Sequence, residues 1–585
     1  MSAQKNVYKL NGVPASPGIA IGKAFVLAGD VVKVEQNDIT YKQVQEEINK
    51  FKAAIKKTKS DLNKIQSKTK FKIGKDGEKL FDVYQMLLED SLIIDETINR
   101  IAQEKKNADF IYYTVMRKFQ ESLESSNDEL FIGRVTDIRD VKRRVLRNIQ
   151  GKKHTFLDRV SEKSIIVARE LTPLDTVQLD KNKVLAYVTD LGGKTSHAAI
   201  MAQSLQIPSV VGLNNISFNV QTGDHIIVDG KNGEVTINPS EAILKKYKKL
   251  QEKYYNLGKK LERIKELPCR TLDGKDVELS ANLEFPDELD SVITYGAKGI
   301  GLYRSEYLYL KKDDLPTEEE EYEEYYKVAS RISPDPVIIR TLDIGGDKKP
   351  PCINIPEEKN PFLGLRAIRL CLERQDIFRT QLRAILRASV IGNIKILLPM
   401  ICCIQEIIQA KKIISEVQQN LKQEKIPFDE SIDIGVMIEV PSAAIIADLI
   451  AKKVDFLSIG TNDLIQYTLA LDRGNERISH LYRDLPLSVL RIIKNIVDAG
   501  HEQGVWVGMC GEMAGSPLAT LVLLGMGLDE LSVAPAVVPK IKSIIRSVTF
   551  REAQRIAEKA LQQPNSKNVE NFMLRITQKR FKDYI

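Results

Sequence analysis

Between residues 277 and 534 a short apolar run returns eight times, each time followed by a stretch long enough for a helix. The runs are 277–282, 299–304, 337–342, 395–399, 434–439, 455–460, 505–510 and 530–534. Intervening segments such as 361–389 and 403–424 read as amphipathic helices. Such alternation calls for a parallel sheet covered by helices, and eight units over about 300 residues suit a closed (β/α)8 barrel. An open doubly wound sheet is the alternative. A barrel adds a further expectation, that chemistry gathers at the carboxyl ends of its strands.

The strand ends carry such groups. Arg304 and Glu306 follow the second run, Arg340, Asp343 and Lys348 the third, Glu439 the fifth, Asn462 and Asp463 the sixth, and Cys510 and Glu512 the seventh. Glu439 and Asp463 are hard oxygen donors on neighbouring strands, a pair suited to Mg2+ with Mn2+ as the alternative. Arg304 and Arg340 would face the same mouth, with Arg366 and Arg473 reaching in from loops. Guanidinium forks match phosphate and carboxylate oxygens, so the ligand expected there is small and highly anionic. Beside such a ligand the Cys510 thiol stays protonated, which makes it the candidate proton donor.

The first half of the chain has a different texture. Residues 7–28 read as short strands, 30–150 as long charged helices, and strand character returns at 164–168, 183–188, 209–211 and 225–228. The helical block therefore looks inserted into a small α/β domain. The expected architecture is multidomain α/β. The α/β domain takes residues 1–29 and 151–239, the inserted helical subdomain 30–150, a linker helix 240–266, and the (β/α)8 TIM barrel 267–585.

Within the α/β domain, the strand ending near Val188 leads into Thr189-Asp-Leu-Gly-Gly-Lys-Thr-Ser-His-Ala-Ala-Ile200. This reads as a strand, a Gly-Gly turn and a helix opening at Thr195-Ser196, with His197 in its first turn. Free N–H groups, two hydroxyls and the helix dipole make a seat for a phosphoryl group. The imidazole is the nucleophile available there near neutral pH. A lone Ser-His pair is more often a cap beside a surface histidine. The full run, continued by Leu205-Gln-Ile-Pro-Ser-Val-Val-Gly212, instead resembles the phosphohistidine signature of the phosphoenolpyruvate-utilising enzymes.

The resemblance extends over nearly the whole chain. Gly301-Leu-Tyr-Arg-Ser-Glu306, Arg340-Thr-Leu-Asp-Ile-Gly-Gly-Asp-Lys348, Asn360-Pro-Phe-Leu-Gly-Leu-Arg366, Ile438-Glu-Val-Pro441, Gly460-Thr-Asn-Asp-Leu464 and Gly508-Met-Cys-Gly-Glu512 are similar to the Enzyme I family. These are the phosphoenolpyruvate–protein phosphotransferases of the bacterial sugar phosphotransferase system. The helical block, through Phe81–Asp90 and Arg134–Asp140, resembles the family's docking subdomain for the carrier protein HPr.

The resemblance implies phosphoryl transfer from phosphoenolpyruvate to Nε2 of His197 and then to a histidine of HPr. Mg2+ on Glu439 and Asp463 would hold the substrate. Arg304, Arg340 and Arg473 would neutralise the phosphoryl oxygens, Asn462 would hydrogen-bond to them, and Cys510 would protonate the enolate. Thr189 is a candidate to orient the imidazole. A homodimer through the barrel half and a large domain swing across the linker are also implied. The chain departs from many relatives at Gln203, where arginine is common, and at Ser516, where an acid is common.

Rival readings are another phosphoenolpyruvate-utilising phosphotransferase or a non-catalytic HPr-binding regulator. The first would need a nucleotide-binding domain, for which no glycine-rich loop is present. The rim residues argue against the second. The net charge of +7 is spread along the chain, with no basic block interleaved with aromatics, so nucleic acid is not an expected partner. No signal core or membrane-length apolar run occurs. Six cysteines without metal-ligand spacing fit reduced thiols in the cytoplasm.

Overall fold

The computed structural model describes residues 7–27, 33–69, 84–124, 135–152, 162–171, 175, 183–193, 196, 199, 202, 207–310, 314–346, 348, 350–356, 358–472, 475, 478, 481–582 and 584. His197, Gln203 and Arg473 lie outside them. The chain divides into two compact units, Met1–Asn256 and Leu257–Ile585.

The first unit is built on an eight-stranded mixed sheet in the order β1-β8-β7-β3-β4-β5-β6-β2. Its strands are β1 (Tyr8–Asn11), β2 (Val13–Ser16), β3 (Ile19–Leu27), β4 (Ser164–Ala168), β5 (Val184–Thr189), β6 (Ser209–Val211), β7 (His225–Asp229) and β8 (Glu234–Ile237). β3, β4, β5 and β6 run parallel, and the remaining pairings are antiparallel. β4 reads Ser-Ile-Ile-Val-Ala and is buried along almost its whole length, as a strand covered on both faces should be.

Between β3 and its neighbour β4 the chain leaves the sheet for the helices Tyr41–Thr69, Ser91–Glu104, Ala108–Glu124 and Val135–Ile149. These share their own core, in which Phe51, Ile101, Tyr112 and Val145 are fully buried or nearly so. An ion-pair knot ties this block to the α/β domain. Asp140 receives Arg143 at 2.7 Å and Arg144 at 3.0 Å, and Arg143 also reaches Asp175 at 3.2 Å. Helix Glu241–Ile264 starts against the sheet, where Tyr247 packs on Ile19 and Ile227.

The second unit is a closed barrel of eight parallel strands. They are β9 (Glu278–Leu283), β10 (Ile300–Arg304), β11 (Val337–Arg340), β12 (Ile394–Leu398), β13 (Ile434–Ile438), β14 (Phe456–Ile459), β15 (Trp506–Met509) and β16 (Glu530–Val533), with β16 pairing back on β9. Each lies on one of the eight apolar runs, which rules out the open sheet. The interior is packed. Leu302, Ile338, Leu397, Met437 and Phe456 fill it, and Trp506 stacks on Phe456 with ring centroids 4.6 Å apart. Gly435 makes room for that stack, since a Cβ there would stand 2.3 Å from the Phe456 ring.

The stretch 361–389 is not one helix. It begins with a single 3-10 turn (Pro361–Leu363), then forms helices Ile368–Glu373 and Gln375–Ala388. Gly364 lies so close to the Glu358 carboxylate that any side chain would collide with it, and Ala367 takes φ 51°. The amphipathic pattern concealed a loop, and that loop brings Arg366 to the barrel mouth.

Candidate active site

The carboxyl ends of the strands surround a cavity of about 810 Å³. Arg304, Arg340, Glu439, Asn462, Asp463 and Cys510 all line it, joined by Asp343, Lys348 and Arg366. With Arg366, seven of the residues expected at the mouth share it.

Its charged groups form one network. Arg340, 6% exposed, donates to Glu306 at 2.5 Å and pairs with Asp343 at 2.9 Å. Arg366 reaches the other oxygen of Asp343 at 3.0 Å, Asp463 at 3.5 Å and the Tyr467 hydroxyl at 3.1 Å. Lys348 joins Glu306 at 2.6 Å. Burial alone would raise Asp343 and Glu306. The surrounding Arg and Lys cations outweigh it and hold both carboxyls below their ordinary range. Burial would likewise weaken the charge on Arg340 and Arg366, yet the carboxylates keep both guanidiniums charged.

Glu439 behaves differently. Its Oε1 accepts the Met400 N–H at 2.6 Å, and no described residue donates to Oε2. Gly460 gives this carboxyl its space, because a Cβ there would come within 2.8 Å of Oε2. Burial, and then the nearby Asp463 and Asp343 carboxylates, push Glu439 up to about 8 against the pull of Arg340 and Arg366. Among the described residues, Glu306, Asp343, Glu439 and Asp463 face Arg340, Arg366 and Lys348, while Arg304 is paired with Glu284. The mouth thus combines an acid pair short of a cation with guanidiniums suited to anions. Glu439 and Asp463 are the residues that could hold a divalent metal.

Cys510 is buried, and its sulfur accepts from the Ser458 hydroxyl at 3.3 Å. Burial pushes the thiol up to about 11, with Glu439 and Glu530 adding to the shift and Ser458 and Arg340 opposing it. Asn462 is fixed by Glu512, donating to its Oε1 at 3.2 Å and accepting its N–H at 3.0 Å.

At the end of β5, the Ser196 hydroxyl accepts the Ala199 N–H at 3.3 Å, as a helix-opening cap would. Gly192 at φ 118° and Gly212 at φ 68° let two loops close on each other, since a Cβ on Gly212 would stand 2.9 Å from the Gly192 carbonyl. The Thr189 hydroxyl donates to the Leu191 carbonyl at 2.7 Å, which commits its proton to its own turn.

Three family models match the chain. The PEP-binding domain of PEP-utilising enzymes matches residues 258–550, the N-terminal domain 11–134 and the mobile domain 160–233. The phosphoenolpyruvate-protein phosphotransferase of Staphylococcus carnosus (strain TM300) is 44% identical over 561 residues, covering 96% of the chain and 98% of the relative. That of Priestia megaterium is 44% identical over 565 residues, covering 97% and 98%. The chain belongs to the phosphoenolpyruvate-protein phosphotransferase family.

A solution structure of Enzyme I (nEIt) aligns with 42% of this phosphotransferase-family chain and 99% of its own length, at 41% identity and a TM-score of 0.38. The sequence places Glu306, Asp343 and Lys348 at strand ends without showing what they pair with. Their task is to hold Arg340 and Arg366, and the density of opposite charges around Arg340 was the available signal. All six cysteines are free thiols. Cys402, Cys403 and Glu406 do gather ligand atoms within 4.8 Å, against the expectation from spacing. Glu406 there accepts the N–H of Cys402 at 2.7 Å and of Cys403 at 3.2 Å, which is a helix cap.

Proposed function

We propose that this chain transfers the phosphoryl group of phosphoenolpyruvate to Nε2 of its own His197, releasing pyruvate, and passes it on to a histidine of HPr. This would be the first step of sugar uptake by the phosphotransferase system. One observation carries the reading. The guanidiniums of Arg304, Arg340 and Arg366 line a single cavity, and each keeps a buried Nε–H without a partner among the described residues. Unsatisfied buried donors of this kind call for an anionic ligand.

In the first transfer the bond from phosphorus to the enol oxygen breaks and one to the imidazole nitrogen forms. Arg304 and Arg340 face the phosphoryl oxygens, Arg473 joins them from its loop, and Asn462 donates its amide. Their charge is in place beforehand, and preorganised positive charge is the main source of acceleration in phosphoryl transfer. The enolate carbon takes the Cys510 proton and becomes the methyl group of pyruvate. Mg2+, or Mn2+ in its place, would sit on Glu439 and Asp463 and supply Lewis-acid charge to the substrate oxygens.

The helical block is the HPr-docking surface in this reading. Met86 and Leu92 are 65% and 79% exposed beside Glu89 and Asp90, an apolar and acidic face suited to a protein partner. Among the described residues no helix is long and apolar enough to cross a membrane, which fits work in the cytoplasm. The chain would pair as a homodimer through its barrel half.

The test is pyruvate release with HPr and Mg2+. Glu439→Gln and treatment with EDTA should each lower the rate by roughly a hundredfold or more. Undiminished release in EDTA would refute the metal assignment.

A further inference from the structure

Behind the rim, where the helices cover the barrel, lies an amide that the reaction has not used. Gln381 sits on helix Gln375–Ala388 among the buried residues Phe378, Leu382 and Ile385. Its side chain has no exposed surface, and it is not among the residues that line the cavity. A helix that only covered the barrel would carry an apolar residue at such a place. A buried amide is costly there unless its hydrogen bonds are made.

Gln381 makes three. Its Oε1 accepts the Leu342 N–H at 2.9 Å, and its Nε2 donates to the Ser305 hydroxyl at 3.0 Å and to the Tyr325 hydroxyl at 3.2 Å. The Leu342 N–H can only donate, which fixes the orientation of the amide. Each hydroxyl passes its own proton onward. Ser305 donates to the Arg340 carbonyl at 2.8 Å, and Tyr325 donates to Glu321 at 3.3 Å.

Two of these bonds fall where the sheet stops holding the chain. The pairing of β10 with β11 ends at Arg304 and Arg340, and both segments then leave for the mouth. Ser305 stands between Arg304 and Glu306, and Leu342 stands just before Asp343. Leu342 is buried past the end of its strand, so its N–H needs a partner that the ladder no longer supplies. One amide therefore ties together two segments that carry Arg304, Glu306, Arg340 and Asp343. A guanidinium is aimed by its backbone as well as by its ion pairs. A displacement of about 1 Å at a reacting group can cost on the order of a hundredfold in rate.

We propose that Gln381 is a positioning residue for phosphoryl transfer, fixing the backbone from which Arg340 meets the transferred group. The inference rests on the reading that Arg340 faces the phosphoryl oxygens.

Three substitutions separate aim from stability. Gln381→Met keeps the length of the side chain and removes all three bonds. Ser305→Ala cuts the link to the Arg340 carbonyl. Tyr325→Phe takes away the third partner of the same amide and leaves both bonds to the rim. Pyruvate release is measured on the full chain with HPr and Mg2+, at a temperature where circular dichroism shows each variant folded. Gln381→Met should lower kcat by roughly tenfold or more and leave KM for phosphoenolpyruvate within about threefold, the pattern of a contact made in the transition state. Ser305→Ala should lower kcat by about threefold or more, and Tyr325→Phe should stay within about twofold of the wild type. Phosphoryl exchange between phosphorylated His197 and HPr, which does not use the barrel, should match the wild type in all three. A wild-type kcat in Gln381→Met would refute the inference. So would an equal loss in Tyr325→Phe, which would make the effect one of stability. Should Gln381→Met fail to fold, Ser305→Ala decides. If Arg340→Ala itself releases pyruvate like the wild type, the reading of Arg340 fails and the inference with it.

Discussion

Replacing Asp343 by Asn tests whether the barrel mouth is one electrostatic unit. Its side chain is 4% exposed and holds Arg340 at 2.9 Å, Arg366 at 3.0 Å and Lys348 at 3.9 Å. Asparagine keeps the shape and one acceptor but removes the charge. Arg340 is left with Glu306, and Arg366 with Asp463 at a weaker 3.5 Å. Removing one partner from a buried ion pair costs about 3–5 kcal/mol, because the remaining charge has been desolvated without compensation. For a unit the size of Leu257–Ile585 that is a fall in melting temperature of roughly 4–7 °C.

The same surplus of positive charge should favour anions. Saturating inorganic phosphate should therefore raise the melting temperature of the variant more than that of the wild type. Differential scanning calorimetry with and without phosphate reads both effects. A variant within about 1 °C of the wild type, with an equal phosphate response, would refute the argument.

Three further outcomes follow from buried groups elsewhere in the barrel. Burial raises Glu321 to about 8, although Tyr309 and Tyr325 donate to it at 2.8 and 3.3 Å. A raised carboxyl contributes stability below its unfolded value and loses it as pH climbs through 8. Glu321→Gln should therefore flatten the fall in melting temperature between pH 5 and 9, a difference on the order of 4 kcal/mol at the alkaline end. Cys510, with a thiol at about 11, should resist alkylation below pH 9 and react faster as pH approaches 11, read by mass spectrometry of its peptide. Gly435→Ala should destabilise the barrel by about 1–3 kcal/mol in urea unfolding, because the new methyl collides with the Phe456 ring.

The barrel was legible because its strands are buried on both sides and read as continuous apolar runs, such as Ile434-Gly-Val-Met-Ile438. The acids and arginines at the strand ends were legible for the same reason, since the fold assigns them a common rim. What tertiary structure adds is partnership. Nothing in the spacing of Glu306 and Arg340 says that they meet at 2.5 Å, and nothing around Glu530 says that two glycines from other strands make room for it. The Gly364–Glu358 contact interrupts the helical pattern read over 361–389, and the loop it makes carries Arg366 to the mouth as expected of it. The Thr189 hydroxyl donates its proton within its own turn, to the Leu191 carbonyl, and His197, which it is expected to orient, lies outside the described residues.

The central claim, one carrier histidine charged from a metal-dependent barrel, is tested most directly by labelled phosphoenolpyruvate. The protein is incubated with it and Mg2+, with and without EDTA, as wild type and as His197→Ala. The account predicts an acid-labile, base-stable label on a single site, absent after the substitution and absent in EDTA. Label that persists in His197→Ala, or a wild type that binds HPr and takes up none, would contradict it.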